Sequence, residues 1–241
     1  VTTQLTVAWP DPTIFVGGRG SLRILAMSDE LDPALEDERN RARLAPIDLI
    51  VGCGDLDADE LCFVADAFRA PLVYILGNHD RGGRWTQGAD RLPSPLGPLT
   101  DELGLTLVGF SWPGLDHPGP HARRDEVAAW GQVLGLSTRL LARRLRSARA
   151  SPLLIVSHAP PRGLGDGPDA YHAGFDGYRW LVERLRPPLW LHGHTHPATT
   201  DARVARAGAT IVSNVTGSVL FELRPPAAVR AAAAPTDRPP R

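Results

Sequence analysis

Short apolar runs recur along the chain, most of them closed by glycine, proline or a carboxylate. Residues 22–28 (LRILAMS), 47–53, 72–76 (LVYIL) and 105–111 are predicted strands. Their apolar positions are largely continuous rather than alternating, as in strands buried on both faces. Asp32-Pro33 reads as a helix N-cap with proline at the first helical position, opening an acidic first turn. Asp57 and Glu60 have capping-box spacing ahead of a helix through Phe68. The first third thus reads strand–helix–strand–helix–strand, the order of a parallel sheet covered by helices. Residues 123–149 are patterned as an Arg-rich helix, and residues 178–185 as a helix leading into LWLH. Residues 153–157 (LLIVS), 189–192 (LWLH), 210–215 and 218–223 complete the predicted strands.

The flanks and one connection are different in character. Residues 1–20, with Pro10, Pro12 and several glycines, read as an arm or a short leading strand. Residues 81–98 are rich in Gly and Pro and read as a long loop, a kind of segment that is often functional inside a compact domain. Residues 225–241 are mostly Pro, Ala and Arg, with few large side chains to bury, and are expected to be disordered. The expected organisation is an arm over 1–20, one domain over 21–224 and a tail over 225–241.

Composition narrows the function classes. A formal net charge of −1 gives no global field to recruit nucleic acid or an anionic membrane. All 26 basic residues are arginine, which reflects genome composition rather than a binding signal. Arg139, Arg143, Arg144, Arg146 and Arg149 are expected to form a solvated helix face, since no aromatic interleaving offers bases a stacking surface. The two cysteines, Cys53 and Cys62, are too few for a disulfide framework and read as small hydrophobes, with a reducing cytoplasm as the default setting. No basic-then-apolar leader is evident, and no apolar run approaches the roughly 20 residues of a membrane span.

The chemistry sits where the strands end. Five clusters follow predicted strands: Ser28-Asp29-Glu30, Gly54-Asp55, Gly77-Asn78-His79-Asp80, Ser157-His158-Ala159-Pro160-Pro161 and Gly193-His194-Thr195-His196. Open α/β sheets gather ligands at the carboxyl edge, so the clusters converge as a set of oxygen and nitrogen donors. That set suits Mn, Fe, Zn or a similar divalent ion rather than a thiolate-loving one. Taken singly, each piece has an ordinary reading as a cap, a turn or a packed histidine. Asp57 is given that ordinary reading.

In this order, Asp29, Gly54-Asp55, Gly77-Asn78-His79-Asp80, His158 and Gly193-His194-Thr195-His196 resemble the calcineurin-like metallophosphoesterase superfamily, whose pattern is D-x-H, GD, GNH(D/E), H, GHxH. The likeness runs from about residue 22 to residue 223. SHAPPRG, His172-Ala173-Gly174, LHGHTHP and Asn214 before the last strand are similar to small bacterial phosphodiesterase-like members. The resemblance implies an α/β fold of four layers, an αββα sandwich with two mixed sheets flanked by helices. It implies a phosphodiesterase or phosphatase that uses two divalent ions, Mn, Fe or Zn, with a metal-bridging hydroxide attacking a small phosphate ester. Asp55 would bridge the ions. Asn78, His158 and His194 would complete one site, and Asp29 and His196 would serve the other. His79 would stay off the metals and act on the leaving oxygen, with Asp80 orienting it.

One position departs from the pattern. Leu31 stands where the family has a histidine, so one metal donor is missing. Asp32 or Glu30 could replace it, although Asp32 is also wanted as an N-cap ahead of Pro33. Water could equally fill the position. The alternative function is therefore a catalytically degenerate member that binds metal or a nucleotide, while a nuclease would need a basic groove that is not evident. His172 could touch substrate, support a ligand or be structural. Residues 81–98 and 112–121 are expected to wall the pocket; in these segments Trp85 and Trp112 read as packing residues rather than base-stacking ones.

Overall fold

The computed structural model describes residues 2–18, 20–80, 88–114, 123–146 and 151–226. In chain order the elements are β1 (Thr3–Ala8), β2 (Leu22–Ser28), α1 (Glu38–Leu44), β3 (Leu49–Gly52), α2 (Ala58–Phe68), β4 (Leu72–Tyr74), β5 (Thr100–Glu102) and β6 (Leu105–Phe110). There follow α3 (Arg123–Arg146), β7 (Leu153–Ser157), α4 (Asp176–Leu185), β8 (Leu189–His192), β9 (Val204–Ala207), β10 (Thr210–Asn214) and β11 (Gly217–Arg224). The strands form two mixed sheets, ordered β1-β11-β2-β3-β4 and β5-β6-β7-β8-β10-β9. Within the first, β2, β3 and β4 are parallel. Within the second, β6, β7, β8 and β10 are parallel.

Side-chain alternation explains why the apolar runs are continuous. Ile24, Ala26, Leu49, Val51, Val219 and Phe221 of the first sheet meet Leu105, Leu107, Leu154, Val156, Leu189 and Leu191 of the second in a central core. The intervening residues face outward into helices. Leu25, Met27 and Ile50 pack with Leu44 of α1 and with Leu61 and Val64 of α2. Val108, Phe110, Ile155 and Trp190 pack with Val133 and Leu136 of α3 and with Tyr178 and Leu181 of α4. Both faces of each sheet are thus covered by apolar contact, giving the expected helix–sheet–sheet–helix layering.

Several local expectations change. Residues 3–8 take the strand alternative of the two left open for the leading segment: β1 runs parallel to β11, and Trp9, just beyond it, is buried in the central core. Asp32 caps a single 3₁₀ turn, Pro33–Leu35, by accepting from Ala34 N at 2.9 Å. The α-helix begins only at Glu38, where Asp37 caps it by accepting from Arg39 N at 2.7 Å. The Asp57–Glu60 capping box does form, with Glu60 accepting from Asp57 N at 2.9 Å. Two short strands do not stand out in the apolar pattern: β5 (TDE) is polar, and β9 (VARA) is four residues interrupted by an arginine. Residues 81–87, 147–150 and 227–241, and with them Trp85, Arg149 and most of the predicted tail, lie outside the described residues. Among the described residues no helix is long and apolar enough to cross a membrane.

Candidate metal centre

The five clusters meet at the carboxyl ends of β2, β3, β4, β7 and β8. The chain turns abruptly there, and three non-glycine residues adopt left-handed backbone: Asp29 at φ 65°, Asp55 at 56° and His194 at 64°. Such positions cost on the order of 1–3 kcal/mol each and persist where the surroundings dictate them. Two glycines explain how close the segments come. A Cβ at Gly77 would collide with the Asp55 carboxylate, and one at Gly193 with Ser28 Oγ and Asp29 Oδ2. The turns are also laced to one another, Asp29 N donating to Gly54 O at 3.2 Å and Gly193 N to His158 O at 3.0 Å.

Ligand-type atoms of Asp29, Asp55 and His158 lie within 4.8 Å of one another. His158 is fully buried, with Nδ1 2.8 Å from Cys53 O. A carbonyl can only accept, so Nδ1 carries the hydrogen and Nε2 is the nitrogen free to bind a metal. Nε2 lies 2.8 Å from Asn78 Oδ1 and 3.1 Å from Asp55 Oδ2. Asp55 Oδ1 accepts from His79 N at 2.8 Å. Asp29 accepts from His194 N at 3.0 and 3.2 Å and from Thr216 Oγ1 at 3.0 Å, tying the two sheets together at this edge. His194 Nε2 points to Tyr171 O at 3.0 Å, which by the same reasoning places a hydrogen on Nε2.

Charge is concentrated in this set. Burial drives the His158 imidazolium down, but the Asp55 carboxylate, its hydrogen bond and Asp29 more than offset this and hold it at about 9. Burial likewise drives Asp55 up, and His158 together with the His79 backbone N–H brings it below the ordinary carboxylate value. A proton thus sits on His158 where a metal would otherwise supply the positive charge, and binding of a cation would expel it.

A cavity of about 430 Å³ opens over these groups, lined by Asp29, Asp55, His79, Tyr171, His172, His194 and His196. The site residues named from sequence therefore sort into the compact trio, Asn78 bonded to it, His194 and His196 on the cavity lining, and His79 exposed beside them. Tyr171 and His172 provide a wall that the sequence places in residues 81–98 and 112–121, of which 81–87 and 115–121 lie outside the described residues. Trp112 is buried, packed 5.0 Å from the His194 ring and 5.6 Å from Phe175, which is its packing role.

Asp80 does not hold the His79 ring. Its Oδ2 accepts from Asp55 N and Gly77 N, both at 2.7 Å, so it shapes the backbone that presents Asp55. Burial raises this carboxyl to about 6, with Asp55 adding to the rise and the two N–H donors opposing it. Position 31 supplies no donor either: Leu31 packs against the core between the first sheet and its helices. Asp32 is fully engaged, Oδ1 by Ala34 N at 2.9 Å and Oδ2 by Ser218 Oγ at 2.5 Å and Thr2 Oγ1 at 3.2 Å. Its role as a cap takes precedence over any role as a replacement ligand. Glu30 lines a neighbouring acidic cavity with Glu36, Asp57 and Glu60.

The family model for calcineurin-like phosphoesterases matches residues 23–198, well over half the chain and spanning every cluster above. The chain belongs to the calcineurin-like phosphoesterase family. Among solved structures, TT1561 of Thermus thermophilus is similar, with a TM-score of 0.50 and 17% identity over 81% of this chain and 89% of that one. The phosphopantetheinyl hydrolase PptH of Mycobacterium tuberculosis matches with a TM-score of 0.42 and 16% identity, over 82% of this chain and 90% of its own. GAP50, the anchor in the inner membrane complex of Plasmodium, gives 0.43 and 12%, over 80% and 71%. No curated protein matches the sequence. The likeness to TT1561 supports a shared fold and says nothing about substrate.

The donor set of this family member suits divalent metal. It combines hard carboxylate and amide oxygens with borderline imidazole nitrogens, and two of the imidazoles have their tautomer set by backbone carbonyls.

Proposed function

We propose that the protein hydrolyses a small phosphate ester, a diester or a monoester, with two divalent ions at this edge, Mn, Fe or Zn. Asp55 would bridge them, Asn78, His158 and His194 would hold one, and Asp29 and His196 the other. The observation that carries this reading is the Asp29–Asp55–His158 cluster on the carboxyl edge, with His79 exposed beside it. Ions held there would polarise the phosphoryl oxygens and lower the pKa of a water. The protein's own residues supply the rest. His79, anchored through its backbone N–H to Asp55, would give a proton to the leaving oxygen, a step worth roughly 10²–10⁴ in rate. Asp55 and His158 would keep the centre's charge in balance, and the left-handed turns would fix their positions before substrate arrives.

The acidic neighbouring cavity, with Glu30, Glu36, Asp57 and Glu60, would repel a polyanion, which favours a small substrate over nucleic acid. We assign the catalytic domain to residues 21–224 with β1 laid on its sheet, and the protein to a reducing cytoplasm, where its two free cysteines are stable. A second reading, a member that binds metal or nucleotide without turnover, is favoured by Leu31 and by the prior commitment of Asp32.

The test is hydrolysis of p-nitrophenyl phosphate and bis(p-nitrophenyl) phosphate by metal-stripped protein, with Mn, Fe, Zn and Mg returned singly. Metal-dependent turnover is expected, and the preferred ester separates monoesterase from diesterase. Folded protein that turns over neither ester with any metal would move the assignment to the binding member.

A further inference from the structure

With Asp80 committed to backbone donors, the His79 ring needs another partner, and among the described residues the group within hydrogen-bonding reach of it is Tyr171. The phenol oxygen lies 3.3 Å from His79 Nε2 and accepts from Asn78 Nδ2 at 3.2 Å. The same residue's carbonyl faces His194 Nε2 at 3.0 Å. Tyr171 thus touches the exposed, non-ligand His79 and two of the proposed metal ligands.

Its placement is built rather than incidental. Asp169 accepts from Tyr171 N at 2.9 Å, from His172 N at 3.0 Å and from His172 Nδ1 at 2.8 Å, an Asx-type turn closed by a side chain. The His172 hydrogen bonds hold the Asp169 carboxyl down at about 2, so the turn stays intact through the neutral range. The His172 ring packs 5.0 Å from Tyr171 and 5.5 Å from His194, filling the space behind them.

We infer that Tyr171 positions the His79 imidazole over the metal cavity, the role that the motif would give to Asp80. A phenol suits this task. Its oxygen can accept from Nε2–H and so fix the ring's orientation, which leaves the Nδ1 side of the ring to face the leaving oxygen. The inference rests on the phosphoesterase reading for its consequence in catalysis, but the Tyr171–His79 contact is testable without turnover.

Tyr171→Phe removes the hydroxyl and keeps the ring and the carbonyl to His194. In Mn-loaded protein, kcat for phenyl phosphate, whose leaving group needs protonation, should fall about tenfold, the worth of one hydrogen bond. For p-nitrophenyl phosphate the fall should be smaller, and with Mn saturating KM should be unchanged for both esters. In the His79→Ala background the same substitution should cost nothing further, because the two residues act as one unit. An equal fall on both esters, or a loss that persists without His79, would overturn the inference. Independently of activity, the ¹⁵N ring signals of His79, assigned by their absence in His79→Ala, should shift in Tyr171→Phe. Unchanged signals would overturn the inference even if wild-type protein hydrolyses nothing, whereas absent turnover alone counts against the proposed function.

Discussion

In the half-site proposed for Asn78, His158 and His194 every donor is held by a second group, while the set proposed for the other, Asp29 and His196, is thinner. His158 has both ring nitrogens engaged, His194 has Nε2 fixed by Tyr171 O, and Asn78 lies between His158 and Tyr171. In the second set Asp29 is well anchored, but His196 is exposed, Leu31 is a partly buried apolar side chain against the core, and Asp32 is spent on Ala34, Ser218 and Thr2. Preorganised ligands lose little freedom on binding, and outer-shell partners are worth roughly 10–100-fold in metal affinity. The difference teaches that the two proposed half-sites should not fill together: the first should be tight and the second weak.

The largest expected effect comes from the residue both sides share. Asp55→Asn removes the charge that balances His158 and the proposed bridge, and should lower turnover by at least ~10³, a scale comparable to the loss of a preorganised electrostatic group. Metal analysis on the same sample should show both equivalents weakened; loss of only one would show that Asp55 belongs to a single half-site.

Next in size is the backbone support of the tight side. Asp80→Ala leaves Asp55 N and Gly77 N without their acceptor and should cost about 2–4 kcal/mol in urea unfolding. Asp80→Asn keeps an acceptor oxygen and should cost little. In metal-free protein the folded-state pKa of Asp80 is raised to about 6, above its unfolded value of about 3.8, so the folded state holds this proton more tightly. Its contribution to stability therefore declines as pH rises from about 4 to about 6 and is unfavourable beyond. The asparagine variant should lack that decline; a variant with the same pH profile as wild type would contradict the assignment.

The smallest effect expected is a gain. Leu31→His restores an imidazole on the weak side and should tighten the second equivalent of Mn by about tenfold, while leaving the first unchanged. Isothermal titration would read both. No change would mean that the histidine, like Leu31, turns into the core.

Much of this is legible in the sequence, for reasons specific to particular residues. Continuous runs such as LLIVS show strands covered on both faces, and Leu153, Ile155 and Leu154, Val156 do divide between two cores. The ligand clusters are visible because each follows a strand, where topology alone brings them to one edge. Tyr171 is not visible. It lies far along the chain from His79, and its position depends on the turn made by Asp169, whose three-residue spacing to His172 is the one available signal. The role of Asp80 is misread from sequence because a motif gives the order of residues and not the direction of a carboxylate. Arm and strand stay open for the leading residues because the pairing of β1 with β11 joins the two ends of the domain, a contact that periodicity cannot report.

The most direct test returns Mn stepwise to metal-stripped protein while bound metal and hydrolysis of p-nitrophenyl phosphate and bis(p-nitrophenyl) phosphate are measured together. The account predicts a first tight equivalent with little turnover and a rate on the preferred ester that rises as the weaker second equivalent fills. Full turnover at one equivalent, or two bound equivalents with no turnover of either ester, would contradict it.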